Sequence, residues 1–239
     1  MRALVLAAAG GAAAWSLPAL APLTPKIAAA IGVRRTVESG GGAVALTFDD
    51  GPHPEGTPAV LELLAARGVR ATFFLVGEQV ERRPALAAEI AAAGHTVALH
   101  GHRHRNLLRV PPGAFADDLD RGTDAIASAT GEAPRLYRPP YGIFSWPSLS
   151  VVSARGLDPL LWSRWGHDWR RHRSAGAIAA EVTEDLRGGD VLLLHDADFY
   201  SATGSWRRTV EALPAVLDEI ERRGLLAAPV DGALAQPAA

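Results

Sequence analysis

The chain contains no cysteine, which excludes a disulfide framework, a thiolate zinc site and a cysteine nucleophile. Lysine is nearly absent too, because Lys26 is the only lysine among 24 basic residues. The formal net charge of -2 leaves no surplus of positive charge. Non-specific nucleic-acid binding depends on such a surplus, so no nucleic-acid partner is expected, and the sequence indicates no obligate protein partner.

The first 25 residues differ from the rest of the chain. No charged residue lies between Arg2 and Lys26, and the stretch is apolar and rich in alanine. A basic start followed by a short apolar segment is typical of secretion, so residues 1–25 are predicted to be a signal peptide or an N-terminal anchor. Prolines at positions 18, 22 and 25 interrupt the length that a membrane span needs. A segment packed on the folded domain is the alternative.

The N-terminal prediction implies a secreted or envelope-associated protein, with membrane contact only through residues 3–25. A cytoplasmic location stays open, since a chain without cysteine suits both sides of a membrane. Residues 26–42 end in three consecutive glycines and are predicted to be a linker. Residues 43–239 would then form a single domain with enough chain to bury a large core.

From residue 43 onward, short apolar runs alternate with helical patterns. The predicted strands are Ala43–Asp49, Arg70–Val76, Thr96–Leu99, Leu136–Arg138, Leu157–Ser163, Val191–Leu194 and Leu225–Val230. Such alternation predicts an α/β fold whose parallel strands are joined by right-handed crossovers. Polar residues follow many of these strands, as at the active face of a barrel. This favours a distorted (β/α) barrel over an open sheet.

Two histidines after the third predicted strand have a spacing that suits metal binding. His100 and His104 are four residues apart, which places two imidazoles on one side of a turn. Alone, this spacing is more often a pair of surface histidines. With a carboxylate it forms a site with two histidines and one carboxylate, which suits zinc, Fe(II), Co(II) or Mn(II). His102 is out of phase with both and is interpreted as a rim residue or a supporting group.

The pair Asp49-Asp50 follows the first predicted strand and precedes Gly51-Pro52, a sequence that also suits a plain polar turn. Where the strand bends, both carboxylates can reach the mouth of a barrel. One can bind the metal while the other takes a proton from water. Arg138 precedes two prolines that hold the backbone extended, so its guanidinium would keep such a base ionised and oriented. The backbone N–H of Tyr141 is a candidate donor to an oxyanion.

His195 ends an apolar strand, where a single histidine is more often a core residue. A nearby carboxylate from Asp168 would raise the pKa of His195 and make it a candidate general acid. Tryptophans 162, 165 and 169 cluster around Asp168 in the sequence. Trp162 is interpreted as a core aromatic, whereas a tryptophan at the rim of a cleft is also a platform on which a sugar can stack.

Taken in order, these clusters resemble the five motifs of the polysaccharide deacetylase family, also known as NodB-homology domains or family 4 carbohydrate esterases. The resemblance extends from about Ala43 to Val230. It implies a distorted (β/α)7 barrel with one divalent metal ion, zinc above all, with cobalt or manganese as alternatives. The implied reaction is removal of N-acetyl groups from an acetylated glycan, either a chitin-like polymer or oligomer or peptidoglycan.

The resemblance also implies a role for each residue. Asp49 would be the general base and Arg138 its orienting partner, while His195 would be the general acid, tuned by Asp168. The implied metal ligands are Asp50, His100 and His104, and the implied substrate-binding residues are Tyr141, Trp169 and Leu193. Two departures from the family pattern leave metal affinity and substrate range open. Gly101 stands where serine or threonine is common, and Arg105 stands where proline is common.

The sequence leaves two alternative functions open. One is another hydrolase of the same superfamily, acting on O-acetyl groups of xylan or on a small cyclic amide or formamide. The other is an inactive homologue that only binds carbohydrate. A binding module has no use for a base and an acid, so the complete set of polar residues favours an enzyme.

Overall fold

The computed structural model describes residues 15–38 and 42–231. Its strands are β1 (Ala43–Asp49), β2 (Thr72–Leu75), β3 (Thr96–Leu99), β4 (Leu136–Tyr137), β5 (Asp158–Pro159), β6 (Arg164–Trp165), β7 (Val191–His195) and β8 (Leu226–Ala228). Its α-helices are α1 (Pro25–Ala30), α2 (Gly56–Ala66), α3 (Gly77–Arg82), α4 (Pro84–Ala92), α5 (Pro112–Thr130), α6 (Trp146–Ala154), α7 (Ala175–Val182) and α8 (Ser205–Arg222). Short 3-10 turns lie at Leu17–Leu20, Leu107–Arg109 and Pro140–Gly142. Among the described helices, none has both the length and the apolar character needed to cross a membrane.

The strands form one parallel sheet in the order β5-β4-β3-β2-β1-β7-β6, and β8 pairs with the first residues of β1. β1 lies at the centre and is buried along its whole length, as expected for a parallel strand covered on both faces. Its last residue, Asp49, is in register with Phe74 on one side and with His195 on the other. The carboxyl ends of the central strands therefore meet at one end of the sheet.

The sheet must curve, because its two outermost strands are close together in the chain. β5 and β6 lie at opposite ends of the strand order, yet only residues 160–163 separate them. An extended stretch of five residues spans at most about 18 Å. A flat sheet of seven strands would be about 29 Å wide. The two edges therefore approach each other, and the sheet becomes a barrel with an open seam.

The single strand expected over Leu157–Ser163 is wrong, because the chain crosses this seam within it. Leu160 pairs with Arg34. Arg34 belongs to residues 15–38, which are called the N-terminal segment below. The N–H of Ser163 donates to the carbonyl of Val191, at the start of β7. The two halves of the expected strand thus find different partners, which divides it into β5 and β6.

The N-terminal segment covers the seam. Arg34 bridges to Leu160 beside β5, and Thr36 bridges to Asp190 beside β7. In the same segment Ala28, Val33 and Val37 are buried, and burial of such apolar side chains stabilises the packed state. Over its described part, the expected linker of residues 26–42 is therefore folded onto the barrel. Residues 1–14, which hold most of the predicted signal peptide or anchor, and residues 39–41 lie outside the described residues.

The helices pack around the sheet and enclose an apolar core. Phe48 of β1 stacks on Phe73 of β2 with ring centroids 5.1 Å apart. The final helix, α8, begins well before Pro214, which lies inside it. Its buried face comes from Trp206, Leu213, Val216, Leu217 and Ile220. Several of the buried ionisable side chains, including Asp49, Asp50, His100 and Arg138, lie at or just beyond the carboxyl ends of strands.

Candidate active site

The predicted site residues converge at the carboxyl ends of the strands. A cavity of about 290 Å³ opens there. It is lined by Asp49, Asp50, His100, His104, Tyr141, Gly142, Trp162, Trp169, Leu193, His195, Tyr200 and Ser201. The two remaining predicted residues, Arg138 and Asp168, are fully buried and contact the lining residues from behind. A larger groove of about 570 Å³ lies at the opposite end of the barrel, near the first residues of β3 and β4. Its polar side chains, which include His95, Glu132 and Arg135, form no group of potential metal ligands within the described residues.

Asp50, His100 and His104 form a cluster that could hold a metal ion, with ligand atoms within 4.8 Å of one another. The Nε2 atoms of His100 and His104 lie 3.5 Å and 3.3 Å from Oδ1 of Asp50. That Oδ1 atom is buried and has no hydrogen-bond partner in the described part of the chain. A buried carboxylate oxygen without a partner is costly, and a cation at this point would satisfy it. The residues therefore fit a divalent metal bound by two imidazoles and one carboxylate.

The electrostatics of this cluster also suit a cation. Burial lowers the pKa of His100 to about 3 and that of His104 to about 2, so both rings are neutral at physiological pH and can act as ligands. Burial raises the pKa of Asp50 to about 7, opposed by His195 and reinforced by Asp49. A bound cation would favour the ionised form of Asp50. The Nδ1 atom of His100 lies 2.8 Å from the carbonyl oxygen of Arg138, which leaves Nε2 free to face Asp50.

Asp49 is held by the buried guanidinium of Arg138. Nη1 of Arg138 donates to Oδ1 of Asp49 at 2.6 Å and to the hydroxyl of Thr47 at 2.9 Å. The other donors reach the carbonyls of Leu160 and Leu161, so a single nitrogen contacts the carboxylate rather than a two-nitrogen fork. Burial raises the pKa of Asp49, and Arg138 is the main group that opposes this rise. The Asp49 carboxylate thus lies beside the metal cluster with its orientation fixed by one arginine.

His195 forms a second polar pair, with Asp168. Nδ1 of His195 lies 2.9 Å from Oδ1 of Asp168, and Oδ2 of Asp168 accepts from the backbone N–H of His195 and from Thr209. Burial by itself lowers the pKa of His195, but Asp168, with smaller contributions from Asp50 and Asp49, raises it to about 10. Because Asp168 occupies Nδ1, the Nε2 atom of His195 is the one left for a substrate.

The predicted substrate-binding residues border the same cavity. Tyr141 has a φ of 61° inside the turn Pro140–Gly142 and is 55% exposed. Trp169 meets the ring of His195 edge-on, at a centroid distance of 5.3 Å. Leu193 is 2% exposed and forms an apolar wall. The lining of the cavity therefore combines apolar and aromatic side chains with the ionisable groups.

Comparison with known proteins agrees with this geometry. Residues 36–160 match the family model described as polysaccharide deacetylase. The chain is 38% identical over 193 residues to a chitooligosaccharide deacetylase of Bradyrhizobium sp. (strain ANU 289), covering 78% of this chain and 88% of that protein. This chain belongs to the polysaccharide deacetylase family. It is also 32% identical over 185 residues to a peptidoglycan-N-acetylglucosamine deacetylase of Bacillus cereus, covering 76% of this chain and 64% of that protein.

A solved structure supports the family fold. The family 4 carbohydrate esterase of Streptomyces lividans in complex with acetate aligns with a TM-score of 0.70 at 33% identity, covering 78% of this chain and 91% of that one. The expectation of a distorted (β/α)7 barrel is thereby confirmed. The open seam between β5 and β6 is the distortion.

The two departures from the family pattern have local explanations. Gly101 has a φ of 82°, a left-handed conformation that glycine adopts without strain. Arg105 forms an ion pair with Asp118, whose other oxygen accepts from the N–H of His102 at 2.8 Å. His102 is buried and its Nε2 lies 3.2 Å from Glu81, so the interpretation of His102 as a rim residue is wrong.

Four cavity residues did not emerge from sequence reasoning as site residues, and one of them is Gly142, next to Tyr141. Tyr200 and Ser201 lie in the loop that follows β7, and this loop returns to the mouth of the barrel. Trp162, interpreted as a core aromatic, is 8% exposed and also lines the cavity. The sequence Phe199-Tyr200, an aromatic pair shortly after His195, is the signal that could have indicated the loop.

Proposed function

We propose that the chain is a metal-dependent hydrolase that removes N-acetyl groups from an amino-sugar polymer or oligomer. The observation that carries this proposal is the convergence of three groups on one cavity. They are the Asp50, His100 and His104 cluster, the Asp49–Arg138 pair and the His195–Asp168 pair. Metal-assisted hydrolysis of an amide uses a bound metal ion, a base that takes a proton from water and an acid that protonates the leaving nitrogen.

Asp50, His100 and His104 are the proposed ligands of the cation. Zinc is the ion we propose, with cobalt or manganese as alternatives, since a set of two imidazoles and one carboxylate suits each of them. The chemistry that such a cation supplies is that of a Lewis acid, which polarises a carbonyl group and makes water more acidic. This assignment is supported by the neutral rings of both histidines and by Oδ1 of Asp50, which has no hydrogen-bond partner among residues 15–38 and 42–231.

The proton steps follow from the two polar pairs. Asp49, oriented by Arg138, accepts a proton from the water that attacks the acetyl carbonyl. The backbone N–H of Tyr141 is the proposed donor to the oxygen that becomes negatively charged. His195 then donates its Nε2 proton to the leaving nitrogen, since Nδ1 is engaged by Asp168. The products are acetate and a sugar with a free amine.

The size of the cavity bears on the substrate. A volume of about 290 Å³ is at the small end for ligand pockets. Leu193 and Trp169 are proposed as the walls around the acetyl group and its sugar ring, and the rest of a polymer would extend along the rim. The named relatives support two substrate classes, chitooligosaccharides and peptidoglycan.

Acetate release from a panel of glycans tests this function. Purified protein should release acetate from chitooligosaccharides or peptidoglycan, lose the activity with a chelator and regain it with zinc or cobalt. Activity only on acetylxylan would point to the O-acetyl esterase alternative, and ring opening of a cyclic amide without acetate would point to the other hydrolase. No turnover on any of these in the metal-loaded protein would leave the inactive carbohydrate-binding homologue.

We also propose that the protein acts outside the cytoplasm, at the cell envelope or after secretion. The uncharged stretch between Arg2 and Lys26 supports this location. Cell fractionation combined with N-terminal sequencing of the mature protein tests it. Recovery of the uncleaved chain in the soluble cytoplasmic fraction would contradict the proposal.

A further inference from the structure

His100 and His104, the two histidines among the proposed metal ligands, are held in different ways. Histidines that bind metals almost always donate their second ring N–H to a carboxylate, a carbonyl or water, and this bond fixes the ring. His100 follows the rule, since its Nδ1 lies 2.8 Å from the carbonyl of Arg138. The Nδ1 of His104 is buried and makes no well-formed hydrogen bond within the described residues, although its own backbone carbonyl favours the protonated ring. Among the described residues, the other contacts that can fix the ring of His104 are those with neighbouring aromatic rings.

Tyr200 provides the closest ring contact of His104. The two rings are nearly parallel, with centroids 4.3 Å apart and an interplanar angle of 6°. Tyr141 meets the same imidazole edge-on, at 4.5 Å and 69°. Aromatic contacts of these two kinds are directional. Together they restrict both the tilt and the rotation of the His104 ring.

The ring of Tyr200 is itself fixed by hydrogen bonds to α3. Its hydroxyl donates to Oε1 of Glu78 at 2.7 Å and accepts from Nε2 of Gln79 at 3.0 Å. Oε1 of Gln79 in turn accepts from Arg83 at 2.9 Å. Burial raises the pKa of Tyr200 well above its usual value, so the hydroxyl stays protonated and able to donate.

The same helix is anchored to the loop that carries the histidines. The N–H groups of Gly77 and Glu78 donate to the carbonyls of Gly101 and His102, both at 2.9 Å. A Cβ at residue 77 would lie 2.9 Å from the Cα of Gly122 and 3.0 Å from the Cα of His102, so a larger residue would push this helix away from the loop. These contacts therefore form a continuous path. It leads from the loop that carries the histidines to α3, from α3 to Tyr200, and from Tyr200 back to His104.

We infer that Tyr200 is a positioning residue for the metal ligand His104, and that its stacked ring holds the imidazole where no other described residue bonds to Nδ1. The inference rests on the proposed function, because it requires His104 to bind the metal. Tyr200 acts on the ligand before any substrate arrives. Its loss should therefore weaken metal binding in the absence of substrate.

Metal affinity of three variants tests the inference. Metal-free protein is titrated with zinc in competition with a chromophoric chelator, and the visible spectrum of the cobalt form is recorded. Tyr200→Leu removes the ring and should weaken zinc binding about 10–100-fold, the range typical for groups that orient metal ligands. Tyr200→Phe keeps the ring and should retain most of the affinity and the cobalt spectrum. Phe199→Leu is the control for the loop, because Phe199 packs on His53 and Arg83 and meets Tyr200 only edge-on at 6.2 Å, with no ring contact to His104 among the described residues.

The outcomes separate this inference from the proposed function. Wild-type protein that binds no metal would refute the proposed function itself. If wild-type protein binds zinc and Tyr200→Leu binds it equally well, the inference about Tyr200 is wrong. It is also wrong if Tyr200→Phe loses as much affinity as Tyr200→Leu, or if Phe199→Leu does, because the effect would then come from the hydroxyl or from the loop as a whole.

Discussion

Asp49 and Asp50 are neighbours in the chain, yet their carboxylates meet different partners. Asp49 contacts Arg138, whereas Asp50 faces the Nε2 atoms of His100 and His104. In a regular strand such neighbours point to opposite faces. Asp50 has a φ of 78°, so the strand conformation ends at this residue and both side chains line the cavity. One unusual backbone conformation thus brings a candidate base and a candidate ligand into the same site.

At the level of single residues, the Asp168–His195 pair gives a prediction about pH. The Asp168 carboxylate raises the pKa of His195, so His195 holds its proton to higher pH than it would alone. Asp168→Asn removes this effect, and His195 should then lose its proton at lower pH. The alkaline limb of the kcat/KM profile should move to lower pH, as measured by acetate release. An unchanged alkaline limb would show that a group other than His195 is the acid.

The pKa values of the three proposed metal ligands predict how metal affinity depends on pH. Both histidines are already neutral above about pH 4, whereas the pKa of Asp50 is raised to about 7. Below pH 7 the metal must displace a proton from Asp50, so affinity should fall as pH falls, by about tenfold per unit for one proton. Zinc titrations between pH 5 and 8 measure this slope. Constant affinity over that range would mean that no protonated carboxyl group lies in the site.

At the level of elements, the predictable part of the site is the part that directly follows a strand. Asp49, His100 and His195 could be located because strands ending in polar residues are recognisable from local pattern. Tyr200 could not be located in this way, since it lies beyond β7 in a loop that folds back to the mouth of the barrel. The local sequence pattern does not indicate where such a loop packs. The break at Leu160 was hidden for a similar reason, because its partner Arg34 is far away in the chain.

The N-terminal segment shows the same limitation. Val33 and Val37 are apolar positions that indicate packing, but the nearby run of glycines favoured a linker. Whether such residues pack depends on a surface to receive them, and that surface exists only when the sheet curves and leaves a seam. The segment is thus an element that only the three-dimensional structure could reveal.

The packing of this segment predicts a loss of stability when its buried side chains are truncated. Val33→Ala combined with Val37→Ala removes four buried methyl groups, which should lower the free energy of unfolding by about 3 kcal/mol. Urea denaturation measures the change. Leu23→Ala is the control in the same segment, because Leu23 is 71% exposed and should have little effect. If the double variant is as stable as the control, the segment is a loose linker after all.

At the level of the whole molecule, the barrel brings together residues that are distant in sequence. Asp49 and His195 are register partners on adjacent strands, β1 and β7. Arg138 and Asp168, both fully buried, support them from opposite sides. Burying ionised groups is costly even when they are paired, and stability alone does not account for such a concentration at one end of a core. The proposed catalytic roles do account for it, because each buried group contacts one that reaches the cavity.

The most direct test of this arrangement compares Asp49→Asn with Asp50→Asn, measuring bound metal by mass spectrometry and turnover by acetate release. Asp49→Asn should keep its metal while turnover falls about 10²–10⁴-fold, which is the rate acceleration that a general base typically provides. Asp50→Asn replaces the anionic ligand, so both metal content and turnover should fall. Loss of metal from Asp49→Asn with retention by Asp50→Asn would reverse the two roles, and full metal content with full turnover in both variants would contradict the site altogether.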